Sequence, residues 1–254
     1  MTTVTRPSTA ATPRARVLAQ SRFEVGTLLR NGEQLLVSLV LPAIVLVALK
    51  VSSVPSLGTG RRIDLAVPGV LALCIISASF TSQGIATAFD RRYSVLRYLG
   101  VTPLGRGGLM AAKVVATLVV ELIQVVVLGG LGLALGWRPA ASGIGYAVLF
   151  LVLGTWAFVS LALLMAGTVR AEAVLAFANL VWVLFLALGG VIVPRTQLPG
   201  WAEVATGWLP SAGLADGMRD ALVHGSFHWT GALVLVVWGV VCTALASRFF
   251  KWRD

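Results

Sequence analysis

The chain has 254 residues, of which 57% are hydrophobic and only 12% are charged, and its formal net charge at pH 7 is +10. Soluble domains carry about 25% charged residues, so this chain cannot cover a water-facing surface. The composition therefore excludes an ordinary soluble enzyme, a disordered chain and a disulfide scaffold. The length suits one membrane domain, because six spans of about 20 residues each, with their loops, account for it.

The positive charge is confined to short stretches between apolar runs, which indicates membrane topology and argues against a nucleic-acid partner. If six segments cross the membrane, fourteen basic residues fall on the side of both termini and six on the other. The positive-inside rule then places both termini in the cytoplasm of a multi-pass protein of the inner (plasma) membrane. Cys74 and Cys242 lie inside apolar runs and predict neither a disulfide nor a Cys-rich metal site.

Intervals poor in charge predict the transmembrane spans. Each interval is close to the length that a helix needs to cross a bilayer at about 1.5 Å per residue, although the first is short and contains Pro42. The predicted fold is all-α: a polytopic membrane protein with one domain over residues 14–254, after a flexible cytoplasmic tail over 1–13. The predicted spans are about 33–51, 65–89, 112–136, 141–169, 173–194 and 229–249.

Residues 14–31 predict an amphipathic helix on the inner leaflet. Apolar residues such as Leu28 recur at helical spacing, Arg16 lies between them, and Arg22 and Arg30 are placed to reach lipid headgroups. Two interpretations remain open. The helix is either an anchor only or a lever that touches a cytoplasmic partner, because amphipathicity alone does not separate them.

The stretch between the second and third predicted spans is the most informative in the chain. An apolar and a cationic face predict a short amphipathic helix that runs from Arg91 to Leu99 and is ended by Gly100 and Pro103. A plain connection needs only about four residues, so this longer segment indicates a cytoplasmic docking surface. The apolar face consists of Val95, Leu96, Tyr98 and Leu99, and the cationic face consists of Arg91, Arg92 and Arg97.

Residues 195–229 predict two short helices on the outer side. The first follows Pro199, and the second is capped by Ser211 and ended by Gly225. Tryptophans at the edges favour a re-entrant or interfacial hairpin. The hairpin either caps the outer mouth of a pathway or lies in the headgroup layer with no role in transport.

Glu121 is the only ionisable residue well inside a predicted span, so it is expected to face protein or water. Gln124 lies three residues further on and shares that face. A hydrogen-bonded pair that joins two helices is favoured over a proton or substrate contact. Other candidate pathway residues are Ser79, Thr81, Gln83 and Asn179.

Motifs for nucleotide binding and hydrolysis are absent from the sequence. It contains no Gly-x-x-x-x-Gly-Lys-[Ser/Thr] loop, no His-Glu-x-x-His and no Gly-x-Ser-x-Gly. Asp220, His224 and His228 are spaced at i, i+4 and i+8, but Gly225 breaks that helix and no third His or Cys accompanies them. We therefore predict no metal site.

Three stretches of the chain resemble ABC-2-type permeases, the membrane subunits of bacterial ABC exporters of drugs, antibiotics and lipids. The main likeness is to the family's cytoplasmic loop, although the family often has Glu-Arg-x-x-Gly where this chain has an Asp-Arg pair followed by Arg-Tyr-Ser. The residues that carry it are Asp90-Arg91, Ser94-Val95, Thr102-Pro103-Leu104, Arg106 and Lys113. The other two stretches are Val67-Pro68-Gly69-Val70 and Leu209-Pro210-Ser211 followed by Asp216, Met218-Arg219 and Leu222.

The resemblance implies a permease subunit of an ATP-driven exporter that moves a hydrophobic or amphipathic substrate out of the cytoplasm or inner leaflet. It implies two copies of a separate ABC ATPase that bind ATP and Mg, a second permease copy of the same or another sequence, and no enzyme activity or cofactor in this chain. The alternative is a proton-coupled secondary transporter that uses Glu121. The implied coupling residues are Asp90, Arg91, Arg92, Ser94, Leu96, Arg97, Leu99, Thr102 and Pro103.

Overall fold

The computed structural model describes residues 11–197 and 199–250, so residues 1–10 of the predicted tail lie outside the described part. Within these ranges every regular element is a helix, which confirms the prediction of an all-α polytopic membrane protein. Five described helices are long and apolar enough to cross a membrane. The number becomes six if the first two helices form one bent crossing.

The helices follow one another with short connections. Their bounds are α1 (Pro13–Arg30), α2 (Gly32–Val51), α3 (Arg62–Ile76), α4 (Gln83–Arg92), α5 (Val95–Gly100), α6 (Gly105–Ala134), α7 (Ile144–Thr168), α8 (Ala171–Leu188), α9 (Gly200–Thr206), α10 (Pro210–Arg219) and α11 (Trp229–Phe249). Single π-helical turns occupy Ser77–Ser82 and Asp220–His224, and 3₁₀ turns occupy Ala141–Gly143 and Arg195–Gln197.

α1 occupies the position of the predicted amphipathic helix. It begins after Thr12, whose hydroxyl oxygen accepts a hydrogen bond from the amide of Ala15 at 3.4 Å, and it has Pro13 in its first turn. α1 packs chiefly on α6. The predicted first span, 33–51, coincides with α2, but α2 alone is not among the five helices that could cross. Together with α1, from which it is bent by 67°, it forms a sixth candidate crossing.

The second span is the centre of the bundle. α3, a π-helical turn and α4 form one continuous stretch from Arg62 to Arg92, longer at both ends than the predicted 65–89. Nearly all of α3 is buried, against α2, α6, α7 and α10. In the π-helical turn, the ring of Phe80 packs edge-on against those of Phe158 and Phe185, with centroids 6.5 and 5.6 Å away. These aromatic contacts tie the second span to α7 and α8.

The remaining spans differ from their predicted bounds mainly at α6 and α8. α6 begins at Gly105, about two turns before the predicted start at 112, because its first turns pack on α1. α8 ends at Leu188, short of the predicted 194, because Gly189 and Gly190 follow and Gly190 has a φ of 65°. α7 and α11 occupy the predicted positions 141–169 and 229–249.

The predicted outer hairpin is present as α9 and α10, and it differs from the prediction at Ser211. α10 begins at Pro210, and Ser211 is fully buried without acting as a cap. α10 packs among α3, α7 and α11, so only α9 lies on the surface, with exposed Trp201. The π-helical turn after α10 ends at Gly225, which has a φ of 67°. The second helix of the hairpin is therefore part of the core.

Candidate functional site

The connection between α4 and α6 contains an exposed segment, residues 93–104, which we call the docking segment. Ser94 has a φ of 64°, so the α4 helix cannot continue and a new helix, α5, starts at Val95. The prediction of one continuous helix from Arg91 to Leu99 is therefore wrong. The predicted end of that helix at Gly100 coincides with the end of α5.

Leu96 anchors the docking segment to the bundle. It is fully buried in a small apolar cluster with Leu109 of α6, Leu163 of α7 and Phe250, and Leu99 packs against this cluster. The outer surface of the segment is formed by different side chains. Tyr93, Arg97, Tyr98, Val101, Thr102 and Pro103 are all exposed. Tyr98, at 74% exposure, was predicted on the apolar face and in fact points away from the anchor.

Arg91 does not lie on the docking surface, which corrects the predicted cationic face, whereas Arg92 is exposed. Arg91 is buried and donates hydrogen bonds to the carbonyl oxygens of Ala166 and Val169 at 2.5 and 2.6 Å. It therefore satisfies carbonyl groups that the end of α7 leaves without intrahelical partners. Arg92 forms an ion pair with Glu172 of α8. Of the three predicted cations, Arg97 alone lies on α5.

A buried ion-pair cluster lies beneath the docking segment and consists of Lys113, Glu24 and Asp90. The ammonium of Lys113, only 1% exposed, lies 3.2 Å from Oε1 of Glu24 and 3.7 Å from Oδ2 of Asp90. A buried ammonium is costly unless it is paired. The cluster therefore fixes α1, α4 and α6 to one another.

α1 also contacts the docking segment directly. Arg16 donates from Nη1 to the carbonyl oxygen of Pro103 and from Nε to that of Ala11, both at 2.6 Å. Arg22 and Arg30 are exposed along α1. Just beyond the same end of the segment, Arg106 of α6 donates to the carbonyl oxygen of Ser247 in α11. The docking segment is thus held by α1, α6 and α11 while its outer surface stays accessible.

A cavity of about 530 Å³ opens between α1, α2, the second span, α6 and α8. Four of the six predicted pathway residues line it: Thr81, Gln83, Gln124 and Asn179. The π-helical turn over Ser77–Ser82 contributes four residues to the wall of the cavity. The sequence-based prediction missed several further lining residues, namely Leu28, Ser38, Cys74, Ser77, Ser82, Thr117 and Trp182.

Ser79 and Glu121, the other two predicted pathway residues, do not line the cavity. Both are fully buried; the hydroxyl of Ser79 donates to the carbonyl oxygen of Ile75. Glu121 accepts a hydrogen bond from Thr155 of α7. This contact agrees with the favoured interpretation of a hydrogen bond that joins two helices, and the amide of Gln124 separately donates to the carbonyl oxygen of Ser38 at 3.2 Å. Glu121 therefore joins α6 to α7, and Gln124 joins α6 to α2.

Three residues that line the cavity carry an oxygen atom without a hydrogen-bond partner among the described residues. These atoms are Oγ1 of Thr81, Oε1 of Gln83 and Oε1 of Gln124. Buried polar atoms are normally hydrogen-bonded in folded proteins. The same holds for six atoms elsewhere in the described part of the chain, among them Oε1 of Glu121.

Charged side chains also cluster in the outer hairpin. Arg195 donates from Nε to Oδ2 of Asp216 at 2.8 Å, and buried Arg219 donates to the carbonyl oxygen of Val191 at 2.6 Å. His228 Nδ1 lies 2.7 Å from Oδ2 of Asp220, and this hydrogen bond raises the pKa of His228 while partial burial opposes it. His224 lies apart and exposed, and the described residues contain no group of three side chains that could hold a metal ion.

Known proteins are similar to this chain over most of these elements. The sequence model of the family described as ABC-2 type transporter matches residues 16–223. The chain is also 22% identical, over 182 residues, to the protein named "Putative transport permease YvfS" of Bacillus subtilis (strain 168). That alignment covers 71% of this chain and 74% of the relative. The family match includes the docking segment, the ion-pair cluster and every helix that lines the cavity.

Proposed function

The chain belongs to the ABC-2 type transporter family, and we propose that it moves a hydrophobic or amphipathic substrate out of the cytoplasm or the inner leaflet. Membership makes it a membrane transport subunit that works with an ABC ATPase. In this proposal two copies of the ATPase bind ATP and Mg and carry out hydrolysis. Two permease copies, identical or not, form the membrane part, and this chain has no enzyme activity of its own.

The observation that carries the proposal is the construction of the docking segment. Its inner side is anchored by buried Leu96, whereas Tyr98 and Arg97 project into solvent. Tyrosine and arginine are enriched among the residues that dominate protein–protein binding energy. A rigidly held segment with such an exposed surface suits a partner that pushes and pulls on it.

The contacts of α1 support a path from the docking segment to the cavity. Near its start Arg16 bonds to Pro103, in its middle Glu24 pairs with Lys113, and near its end Leu28 lines the cavity. A displacement of the docking segment therefore moves a helix that forms part of the cavity wall. Shifts of packed helices of this kind are a common form of conformational switching.

The distribution of charge supports a cytoplasmic location for the docking segment. If six segments cross the membrane, the surplus of basic residues lies on the side of both termini, as the positive-inside rule expects of the cytoplasmic side of a plasma-membrane protein. The ion pair between Arg92 and Glu172 connects the end of the second span to the α7–α8 turn. α1, the docking segment and that turn consequently share one end of the bundle.

Co-purification tests the proposal. The tagged full-length chain is purified from its own host in mild detergent, and its partners are identified by mass spectrometry. We expect an ABC ATPase in the wild-type sample and its loss when Arg97→Glu is combined with Tyr98→Ala. Arg170→Glu is the matched control, because Arg170 is exposed in the α7–α8 turn outside the docking segment. Equal retention of the ATPase by the double variant would contradict the proposal.

The proton-coupled alternative has less support from the geometry. Glu121 is fully buried, bonds to Thr155 and does not line the cavity. A proton relay needs a route by which water or a second titratable group exchanges protons with the carboxyl. We therefore retain the ATP-driven mechanism as the proposed function.

A further inference from the structure

We infer that four basic residues, at the end of the bundle opposite the docking segment, bind the headgroup phosphate of an anionic phospholipid. The second span leads into the docking segment and α6 leaves it, so the start of the second span and the end of α6 share the opposite end of the bundle. The four residues, which we call the basic cluster, are Lys50, Arg61, Arg62 and Arg138. A lipid bound there is neither a transported substrate nor an ATPase, so the inference goes beyond the proposed function.

The turn that ends α6 brings two of these cations together. The ammonium of Lys50 donates to the carbonyl oxygen of Leu135 at 2.8 Å, and Nη2 of Arg61 donates to that of Gly136. Because these carbonyl groups belong to consecutive residues, the two cationic groups lie close together although they come from different parts of the chain. Like charges repel one another at short range, and an anion bound between them relieves that repulsion.

Within the described part of the chain, Asp64 is the carboxylate that balances part of this charge. It lies 3.6 Å from Nη1 of Arg61, and its Oδ1 accepts a hydrogen bond from the backbone amide of Arg138 at 3.0 Å. Arg62 adds another positive charge, and its guanidinium donates to the carbonyl oxygens of Leu49, Ser53 and Pro55. The four cations and Asp64 together leave a positive surplus, which favours an anionic ligand.

Binding of helix ends explains only part of the arrangement. Cations near a helix C-terminus commonly bind its last carbonyl groups, and Lys50 and Arg61 do so for α6. An ammonium has three N–H donors and a guanidinium has five, so both retain donors for a ligand. Arg138 is exposed, and its side chain has no hydrogen bond or ion pair with another described residue. Three exposed cationic groups are therefore accessible to the oxygens of a phosphate.

Exposed apolar side chains beside the basic cluster favour a lipid over a soluble anion. Val47 and Val51 of α2 are exposed within one turn of Lys50, and Leu133 of α6 is exposed two residues before Leu135. In a chain that crosses a membrane, such side chains face the acyl chains of the bilayer. A phospholipid can therefore place its acyl chains along these helices and its phosphate at the basic cluster. Basic residues at the ends of transmembrane helices recognise anionic headgroups in this way.

The test uses the full-length chain in nanodiscs of a neutral lipid and two photoreactive probes with the same diazirine-bearing acyl chain. One probe is a phosphatidylglycerol, which is anionic, and the other is a phosphatidylcholine, which has no net charge. After illumination, labelled peptides are located by mass spectrometry. We expect phosphatidylglycerol to label residues 47–54 and 131–138 about tenfold more than phosphatidylcholine, the effect of one charge-assisted hydrogen bond or more. This ratio should persist when inorganic phosphate replaces chloride at constant ionic strength.

Variants assign the preference to the basic cluster. Arg61→Gln combined with Arg138→Gln should lower the labelling ratio to about twofold or less. Arg22→Gln combined with Arg30→Gln is the matched control, because both arginines are exposed on α1, and it should leave the ratio at these peptides unchanged. Arg61 also binds the end of α6, so Arg138→Gln alone is the second variant. It removes no contact between described side chains and should still lower the ratio, to about threefold.

Four outcomes would overturn the inference. Equal labelling by the two probes would show an ordinary lipid shell, and loss of the preference in phosphate would show a site for soluble anions. A ratio that stays at about tenfold in both cluster variants would assign the preference to other groups. Absence of labelling at these peptides by either probe would show that another occupant, such as an acidic protein segment, covers the cluster. None of these measurements involves the ATPase, so they are separable from a failure of the co-purification experiment.

Discussion

Arg16 donates a hydrogen bond to the carbonyl oxygen of Pro103 at 2.6 Å, although 87 positions separate the two residues in the chain. This bond joins the start of α1 to the docking segment. One side of the same helix carries Glu24, which pairs with Lys113, and Leu28, which lines the cavity. An anchor alone would need none of these contacts. They show that α1 contacts both the docking segment and the cavity wall, whereas its contact with a cytoplasmic partner stays a prediction.

Lys113→Met tests the buried ion-pair cluster. The substitution leaves the carboxylates of Glu24 and Asp90 near each other without a cation, and we expect it to lower the free energy of unfolding by about 3 kcal/mol. The measurement is denaturant unfolding in detergent micelles followed by circular dichroism. Lys50→Met is the control, because Lys50 is exposed and bonds only to the carbonyl oxygen of Leu135. A similar loss in both variants would refute a special role for the cluster.

Arg91→Gln and Arg97→Gln separate structural from docking roles on neighbouring turns. Arg91 bonds to two carbonyl groups at the end of α7, so its loss should destabilise the chain by about 2 kcal/mol. Arg97→Gln should leave the unfolding midpoint within experimental error and instead weaken retention of the ATPase. Thermal unfolding and quantitative co-purification are measured on both variants. If Arg97→Gln destabilised the chain as much as Arg91→Gln, the division of roles would be wrong.

The spans could be predicted from hydropathy because charged residues flank each long apolar run, and α11 coincides with its predicted span. The error at Arg91 has a specific cause. Helical spacing predicts the face on which a residue lies only while the helix is continuous. The left-handed backbone conformation of Ser94 interrupts the helix, so residues up to Arg92 and residues from Val95 onward do not share one helical spacing. A serine at positive φ has no sequence signature as clear as that of glycine.

The ion-pair cluster and the cavity were only partly predictable because they join residues from distant parts of the chain. The charge of Lys113 predicts that it lies near the start of a span, yet α6 begins at Gly105 and places Lys113 about two turns inside the helix. Polar residues within spans indicated Gln83 and Gln124, which line the cavity, and their role in a pathway stays a prediction. The same criterion indicated Ser79, and no sequence pattern tells which side of the second span faces the cavity.

Glu121→Gln tests whether the intramembrane carboxyl is structural. Glutamine has nearly the same shape and retains an oxygen that can accept from Thr155, so we expect ATP-dependent transport and its pH profile to change less than about twofold. Transport of a preferred amphiphile is measured in proteoliposomes with the ATPase present. Glu121→Leu, which cannot bond to Thr155, should lower stability. Abolished transport together with a lost pH dependence in Glu121→Gln would instead support proton coupling.

His228 and Asp220 predict a pH-dependent stability at the connection between α10 and α11. The hydrogen bond that His228 donates to the carboxylate of Asp220 raises the pKa of His228; Asp216 acts in the same direction, and Arg195 opposes it. A raised pKa means that this contribution is complete below the unfolded pKa, about 6.5, and is lost as pH rises through the folded value. We expect the thermal unfolding midpoint to fall over that window.

The matched variants for this prediction are His228→Asn and His224→Asn. The first should remove the pH-dependent step, whereas the second should retain it, because His224 is exposed and lies outside the pair with Asp220. An unchanged step in His228→Asn would assign the pH dependence to another group.

The side of the membrane on which Tyr98 lies tests the account most directly. In a chain with Cys74→Ala and Cys242→Ala, Tyr98→Cys is treated with a membrane-impermeant maleimide in right-side-out and inverted vesicles, and Trp201→Cys on exposed α9 serves as the opposite control. The account predicts that Tyr98→Cys is labelled only in inverted vesicles and is protected when the ATPase is bound. Labelling of Tyr98→Cys in right-side-out vesicles would contradict it.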